Sequence, residues 1–257
     1  MPASDRALLA EAAREAGALA LRYFDGENRV WDKPDGAGPV SEADIAVDRF
    51  LREHLTGARP DYGWLSEETE DGPERLSRAR CFIVDPIDGT RAFLDGARDW
   101  SHSLAVVEDG TVTAAAVFVP RREQLYTAAR GEGATLNGEP VAVTETAELA
   151  DATLLATRPN MEPKRWKRGA PPPVERHFRS SLAYRLCLVA EGRFDAMLTL
   201  RPAWEWDIAA GALIVEEAGG RATDPKGAPL TFNRPDPRAP GVLAGGTIHG
   251  RLLAALA

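Results

Sequence analysis

Apolar residues recur at helical spacing near the start of the chain. Leu8, Leu9, Ala12, Ala16, Leu19, Ala20 and Tyr23 share one face, and Ser4 stands where an N-cap would. The pattern predicts an amphipathic helix over residues 5–24. A Gly- and Pro-rich loop, DKPDGAGPV, interrupts it at 32–40. Ser41 then opens SEADIAVDRFLREHL, in which Ile45, Val47, Phe50, Leu51 and Leu55 predict a second helix. An acidic loop at 66–74 and a short apolar strand, Cys81 to Val84, come next. From 102 to 129 the texture changes to SLAVVE and TVTAAAVFV around Asp109-Gly110, followed by QLYTAA, which predicts sheet with a tight hairpin turn.

The second half alternates. ATLLAT, FDAMLTL and VLAGG read as strands, while SLAYRLCLVAEG, DIAAGALIVEEAGG and a final segment to Leu253 read as helices. That order predicts layered α and β structure rather than a bundle or an all-β sandwich. The connections near 140 and 169–173 are short. They suggest one domain made of two subdomains, about 1–150 and 151–257, sharing a core.

Composition narrows the class. A chain of 257 residues with 44% hydrophobic positions can bury one sizeable core and is too short for several large domains. A net charge of −8 argues against a nucleic-acid or anionic-membrane surface, because phosphate backbones are bound mainly by accumulated Lys and Arg. An anionic substrate would need a local cation. The two cysteines, Cys81 and Cys187, sit in apolar runs and suggest a reducing compartment without disulfides. The N-terminal stretch carries too many charges for a signal peptide or a membrane span, so a cytoplasmic, soluble protein is expected.

Candidate chemistry begins with CFIVDPIDGTRAF. Pro86 biases Asp85 toward extended backbone, and Gly89 permits the turn from which a helix can start near Thr90. Two carboxylates are thereby delivered at a strand's end, beside amides that could receive an anion. Turn chemistry alone would also explain the motif, and Asp224-Pro225-Lys226-Gly227 is such a turn. Upstream, WLSEETED is either a solvated acidic loop or the rim of a buried site reached by Glu67 or Glu68. Downstream, Asp207 opens a helix, where a carboxylate also complements the helix dipole.

Taken together, Glu67-Glu68, Asp85-Pro86-Ile87-Asp88-Gly89-Thr90 and Trp206-Asp207-Ile208-Ala209-Ala210-Gly211, with the trailing EAGG, resemble the signature of the inositol monophosphatase superfamily. The order and spacing match over nearly the whole chain, including Gly131-Glu132-Gly133-Ala134, Asn137-Gly138 and Ser181 to Gly192. The resemblance implies a layered αβαβα fold of the sugar-phosphatase type and a Mg²⁺-dependent, lithium-sensitive phosphomonoesterase acting on a small phosphorylated substrate. It further implies that Glu67, Asp85 and the Ile87 carbonyl hold one Mg²⁺ and that Asp85, Asp88 and Asp207 hold a second. Thr90, with the first-metal carboxylates including Glu67, would orient the attacking water. Asp44 would support this or hold a third ion, although Ser41-Glu42-Ala43-Asp44 also reads as a capping box. The four carboxylates balance two dications, leaving a neutral site for a phosphate dianion. His54, His102, His177 and His249 show no zinc-ligand spacing, and most of them read as ordinary surface or loop histidines.

Substrate contacts implied by the match are Asp88, Gly89, Thr90, Arg91, Ser181 and Asp207. The position seven residues before Asp207, acidic in inositol phosphatases, is Leu200 here, which counts against a polyol. Arg91 after the DGT turn resembles the bacterial CysQ-like branch, the 3′(2′),5′-bisphosphate nucleotidases of sulfur metabolism. The run Lys164-Arg165-Trp166-Lys167-Arg168 is either an exposed basic loop or a place for a second phosphate and a base. The expected function is hydrolysis of 3′-phosphoadenosine 5′-phosphate. The alternatives are an inositol or sugar phosphatase and, from other classes, a silent Mg²⁺-binding scaffold or a nucleic-acid-binding module. The oligomeric state stays open between monomer and homodimer.

Overall fold

The computed structural model describes residues 4–33 and 38–257. Part of the expected loop at 32–40, residues 34–37, lies outside them. In chain order the first elements are α1 (Asp5–Phe24), β1 (Val30–Asp32), β2 (Pro39–Ser41) and α2 (Glu42–Ala58). A seven-stranded sheet follows in sequence order, from β3 (Gly63–Ser66) and β4 (Arg80–Asp88), through the short α3 (Thr90–Leu94), to β5 (Ser101–Glu108) and β6 (Thr111–Val119). It ends with β7 (Gln124–Ala129), β8 (Ala134–Leu136) and β9 (Glu139–Pro140). Among the described strands of this sheet, β3 and β4 run parallel and every other neighbouring pair is antiparallel.

The remainder supplies β10 (Thr153–Ala156), β11 (Glu175–His177), α4 (Leu182–Ala190), β12 (Ala196–Thr199) and β13 (Ala203–Trp204). After these come α5 (Glu205–Glu217), β14 (Arg221–Thr223), β15 (Arg238–Ala239), β16 (Val242–Gly245) and α6 (His249–Ala255). Strands pair in the order β11-β10-β12-β16-β14, while β13 and β15 form a separate ribbon.

The layers follow from which faces are apolar. α1 buries Leu8, Leu9, Ala12, Ala16 and Ala20, and Ser4 Oγ accepts the Ala7 N–H at 3.3 Å to cap it. This stripe and the inner face of α2 pack on one side of the seven-stranded sheet. α4 and α5 cover the other side and are buried nearly all round, because the five-stranded sheet lies beyond them. Gly211 permits the close α4–α5 approach: a Cβ there would stand 2.6 Å from the Leu186 side chain. α6 and the Leu256 that follows it close the outer face, with Leu252 and Leu256 buried, completing an αβαβα stack.

The hairpin turn at Asp109-Gly110 has both residues at positive φ, as a two-residue turn between twisted strands requires. The strand expected at Cys81–Val84 runs on to Asp88, because pairing with β5 resumes beyond an irregularity inside the Asp85–Asp88 motif. Cys81 and Cys187 are buried and free. Among the described residues no helix is long and apolar enough to cross a membrane.

Candidate active site

The irregularity in β4 builds the site. Asp85 pairs with Ser103 and Asp88 with Ser101, so Pro86 and Ile87 together face the single residue His102. Two residues opposite one make a β-bulge. In an unbroken strand, positions three apart point to opposite faces; the extra residue turns Asp85 and Asp88 to the same side. Proline tolerates this place because a bulge removes a ladder donor. Gly89 follows at φ +99°, a left-handed conformation that costs glycine little, and Thr90 starts α3.

Two other segments meet this bulge. Glu67 follows β3 directly, its N–H donating to the Val84 carbonyl at 3.3 Å. Asp207 lies in the first turn of α5, where its carboxylate accepts a backbone hydrogen bond from Trp204, the N-cap residue. One oxygen each from Glu67, Asp85 and Asp207 come within 4.8 Å of one another. Asp88 stands beside this trio rather than in it. Its Oδ2 accepts from Ser181 Oγ and from the Ala183 N–H, both at 2.6 Å, at the N-terminus of α4.

These carboxylates repel one another out of water. Burial, then Glu67, Asp88 and Asp207, push the Asp85 carboxyl well above its usual range. Burial, then Asp88 and Glu67, do the same to Asp207. Burial also raises Asp88, with the bonds from Ser181 and Ala183 opposing it. Asp85 Oδ1 is buried without any hydrogen-bond partner. A buried, unpartnered carboxylate oxygen amid other carboxylates is the donor set a hard dication takes, and neither histidine nor cysteine belongs to the trio.

Lys33 adds a cation that the sequence did not reveal. Its Nζ donates to Glu67 Oε1 at 2.7 Å and to Glu68 Oε1 at 2.6 Å. Burial pushes Glu68 up to about 7, the Lys33 bond pulls the other way, and Glu67 adds to the rise. A lone lysine in a Gly/Pro-rich stretch, 34 positions before its partner, carries no pattern that marks it.

Asp44 bonds both the start of α2 and Thr90. Its Oδ2 accepts the Ser41 backbone N–H at 2.9 Å and the Ser41 hydroxyl at 2.6 Å, while Oδ1 accepts Thr90 Oγ1–H at 3.1 Å. The Thr90 hydroxyl also lies 3.2 Å from the Ile87 carbonyl. One turn along α2, Asp48 accepts the hydroxyls of Ser66 and Thr69 and steadies the loop carrying Glu67. Its spacing from Asp44 was the available signal.

Other residues that the sequence singles out lie around this site or away from it. Ser181 is fully buried; its hydroxyl donates to Asp88 and accepts from the Tyr184 N–H, so it holds a motif carboxylate in place. Trp166 is 3% exposed, its indole N–H bonded to the Asn160 carbonyl within the outer core, so the basic run offers no free aromatic face. Lys164 there pairs with Glu162, and Lys167 donates to the Ala254 carbonyl. His102 and His249 are buried rather than surface residues. Arg91 is exposed, with its guanidinium 3.9 Å from where a Cβ on Gly38 would stand.

The inositol monophosphatase family profile matches residues 3–257. An inositol-1-monophosphatase of Rhizobium meliloti is 36% identical over 235 residues, 86% of this chain and 85% of that protein. A histidinol-phosphatase of Chlorobaculum parvum is 34% identical over 87% of this chain and 86% of its own length. Among solved structures, the extragenic suppressor protein suhB of Bartonella henselae superposes with a TM-score of 0.81 at 30% identity, covering 96% of each chain. The layered fold and the acidic site thus define a phosphoric monoester hydrolase of the metal-dependent kind. This chain belongs to the inositol monophosphatase family.

Proposed function

We propose that this chain hydrolyses phosphomonoesters with Mg²⁺ held by Glu67, Asp85, Asp88 and Asp207, and that its preferred substrate is 3′-phosphoadenosine 5′-phosphate, released as AMP and phosphate. The observation that carries the reading is the buried Asp85 Oδ1, unpartnered beside Glu67 and Asp207. Glu67, Asp85 and the Ile87 carbonyl suit one ion, and Asp85, Asp88 and Asp207 suit another. Bound there, Mg²⁺ would polarise the phosphoryl oxygens and make water acidic enough to attack.

The chain's own residues orient that attack. Thr90 Oγ–H is directed to Asp44 Oδ1 and the Ile87 carbonyl, which leaves its lone pairs free to accept from the attacking water. Glu67, whose Oε1 accepts from Lys33, would serve as a second acceptor for that water. The turn at Gly89, Thr90 and Arg91 offers backbone amides to the phosphate.

The substrate preference rests on the surroundings. Leu200 packs against the outer core and its N–H donates to Asn160 Oδ1, so no carboxylate grips a sugar hydroxyl from that position. Arg185 is buried close enough to Asp88 and Asp207 to feel both; burial lowers it to about 10, still cationic at neutral pH. Its guanidinium lies 4.6 Å from the Phe178 ring centroid, and Phe178 is 47% exposed. Arg185 is held by the Arg179 and Ser180 carbonyls and acts through its charge, and such a charge behind a half-exposed aromatic ring suits a nucleotide better than a polyol. The test is kcat/KM on 3′-phosphoadenosine 5′-phosphate, inositol 1-phosphate and histidinol phosphate at equal Mg²⁺ and salt. The nucleotide should lead. A lead for either other ester would overturn the nucleotide reading and leave the phosphatase class standing.

A further inference from the structure

His102 is the single residue facing the two-residue bulge that carries Pro86 and Ile87. Its neighbours Ser101 and Ser103 pair with Asp88 and Asp85, and its own ring turns inward, fully buried. Nδ1 meets the Pro86 carbonyl, and Nε2 has no partner. A carbonyl only accepts, so the imidazole proton resides on Nδ1. Burial lowers His102 to about 4, the Pro86 bond opposing it, so the ring stays neutral at physiological pH.

A bulge interrupts the regular ladder at Pro86 and Ile87, so a side-chain donor to the Pro86 carbonyl adds a restraint on the peptide joining them. The imidazole supplies that donor. Trp100 meets the ring edge to face at 5.6 Å, with Phe93 and Phe24 packed behind it. An apolar residue would fill this core site without leaving an unpartnered nitrogen. It would also leave the Pro86 carbonyl bare between the two motif carboxylates.

We infer that His102 is a positioning residue for the metal site: by donating Nδ1–H to the Pro86 carbonyl it fixes the bulge that turns Asp85 and Asp88 to the same side of the sheet. It touches neither substrate nor metal. The inference rests on the proposed Mg²⁺ site, and its test separates the two.

The full chain, unmodified and as His102→Asn and His102→Gln, is titrated calorimetrically with Mg²⁺ alone. Its thermal midpoint in chelator is recorded alongside. An asparagine amide nitrogen falls where imidazole has Nδ1, while that of glutamine lies one carbon further out. His102→Asn should bind within about threefold of the unmodified protein and His102→Gln about tenfold or more weaker, the usual range for residues that orient a metal's ligands. Metal-free midpoints of the two variants should agree. Equal affinity in all three, or equal loss in both variants, overturns the positioning role; absence of Mg²⁺ binding by the unmodified protein overturns the metal site itself. If neither variant folds, ¹⁵N resonances of the unmodified protein decide. A neutral ring protonated on Nδ1 and displaced by Mg²⁺ is expected, and an Nε2 proton or indifference to Mg²⁺ overturns the inference.

Discussion

Asp44 Oδ1 accepts the hydroxyl proton of Thr90 across 3.1 Å, while the other oxygen of the same carboxylate caps α2 through Ser41. One side chain thus couples the start of a helix to the group that would orient water. Thr90→Val keeps the shape and removes the hydroxyl. It should lower kcat by about a hundredfold or more, leave Mg²⁺ affinity unchanged, and be largely rescued by Thr90→Ser. Asp44→Asn offers one acceptor where the carboxylate has two, so it should lower kcat and also cost about 1 kcal/mol of stability. Steady-state kinetics with denaturant melts check both; a loss of stability with full turnover would assign Asp44 to the cap alone.

Asp85 sets function against stability. Its carboxyl is buried among other carboxylates with Oδ1 unpartnered, so Asp85→Asn should melt at or above the unmodified protein in chelator. A gain of about 1 kcal/mol would raise the midpoint by about 2–4 °C in a chain of this size. The same variant should lose turnover and most of the rise in midpoint that Mg²⁺ gives the unmodified protein. A metal-free midpoint that falls instead would mean that Asp85 is satisfied in the fold.

Ser181→Ala removes the hydroxyl that donates to Asp88 and caps α4. A stability loss of about 1–2 kcal/mol is expected, since a bond to a charged group is lost along with a cap. Mg²⁺ affinity should fall about tenfold as Asp88 loosens. An unchanged Mg²⁺ affinity with a raised KM would return Ser181 to the role of a substrate contact.

The metal-free protein should lose stability as pH rises from 6.5 to 8. Burial pushes Glu68 and Glu205 up to about 7 from the ordinary 4.5. A carboxyl raised in the fold holds its proton more tightly there than in the unfolded chain, so its contribution declines as pH climbs through the folded value. Asp85, Asp88 and Asp207 are shifted in the same direction. His102 and His249, lowered from 6.5, act in the opposite sense below that value, which is why the window starts there. Mg²⁺ favours the charged carboxylates and should flatten the slope. Thermal midpoints in chelator and in Mg²⁺ across this window check the sign.

The sequence was most legible where local pattern and tertiary need agree. The spacing of Leu8 to Tyr23 and the cap at Ser4 delimit α1, and the two-residue turn at Asp109-Gly110 sets its hairpin. The motif residues Glu67, Asp85 and Asp207 are brought together from three segments far apart in sequence. What escaped notice depends on geometry that no short window contains. Reading β4 as ending at Val84 hid the bulge, because only the pairing with β5 shows two residues facing one. Lys33 and Arg185 look like ordinary loop and helix cations until the chain closes on the carboxylates. Trp166, beside four basic residues, looks available for stacking, but the outer core claims its ring.

Phosphate release from 3′-phosphoadenosine 5′-phosphate, inositol 1-phosphate and a simple aryl phosphate, measured with Mg²⁺ and again in excess chelator, tests the central claim most directly. The buried, mutually repelling carboxylates predict turnover of at least one ester with Mg²⁺, none in chelator, recovery when Mg²⁺ is restored, and none at any Mg²⁺ concentration for Asp85→Asn. Release that continues in chelator, or that survives Asp85→Asn unchanged, would contradict a metal-dependent phosphatase built on this site.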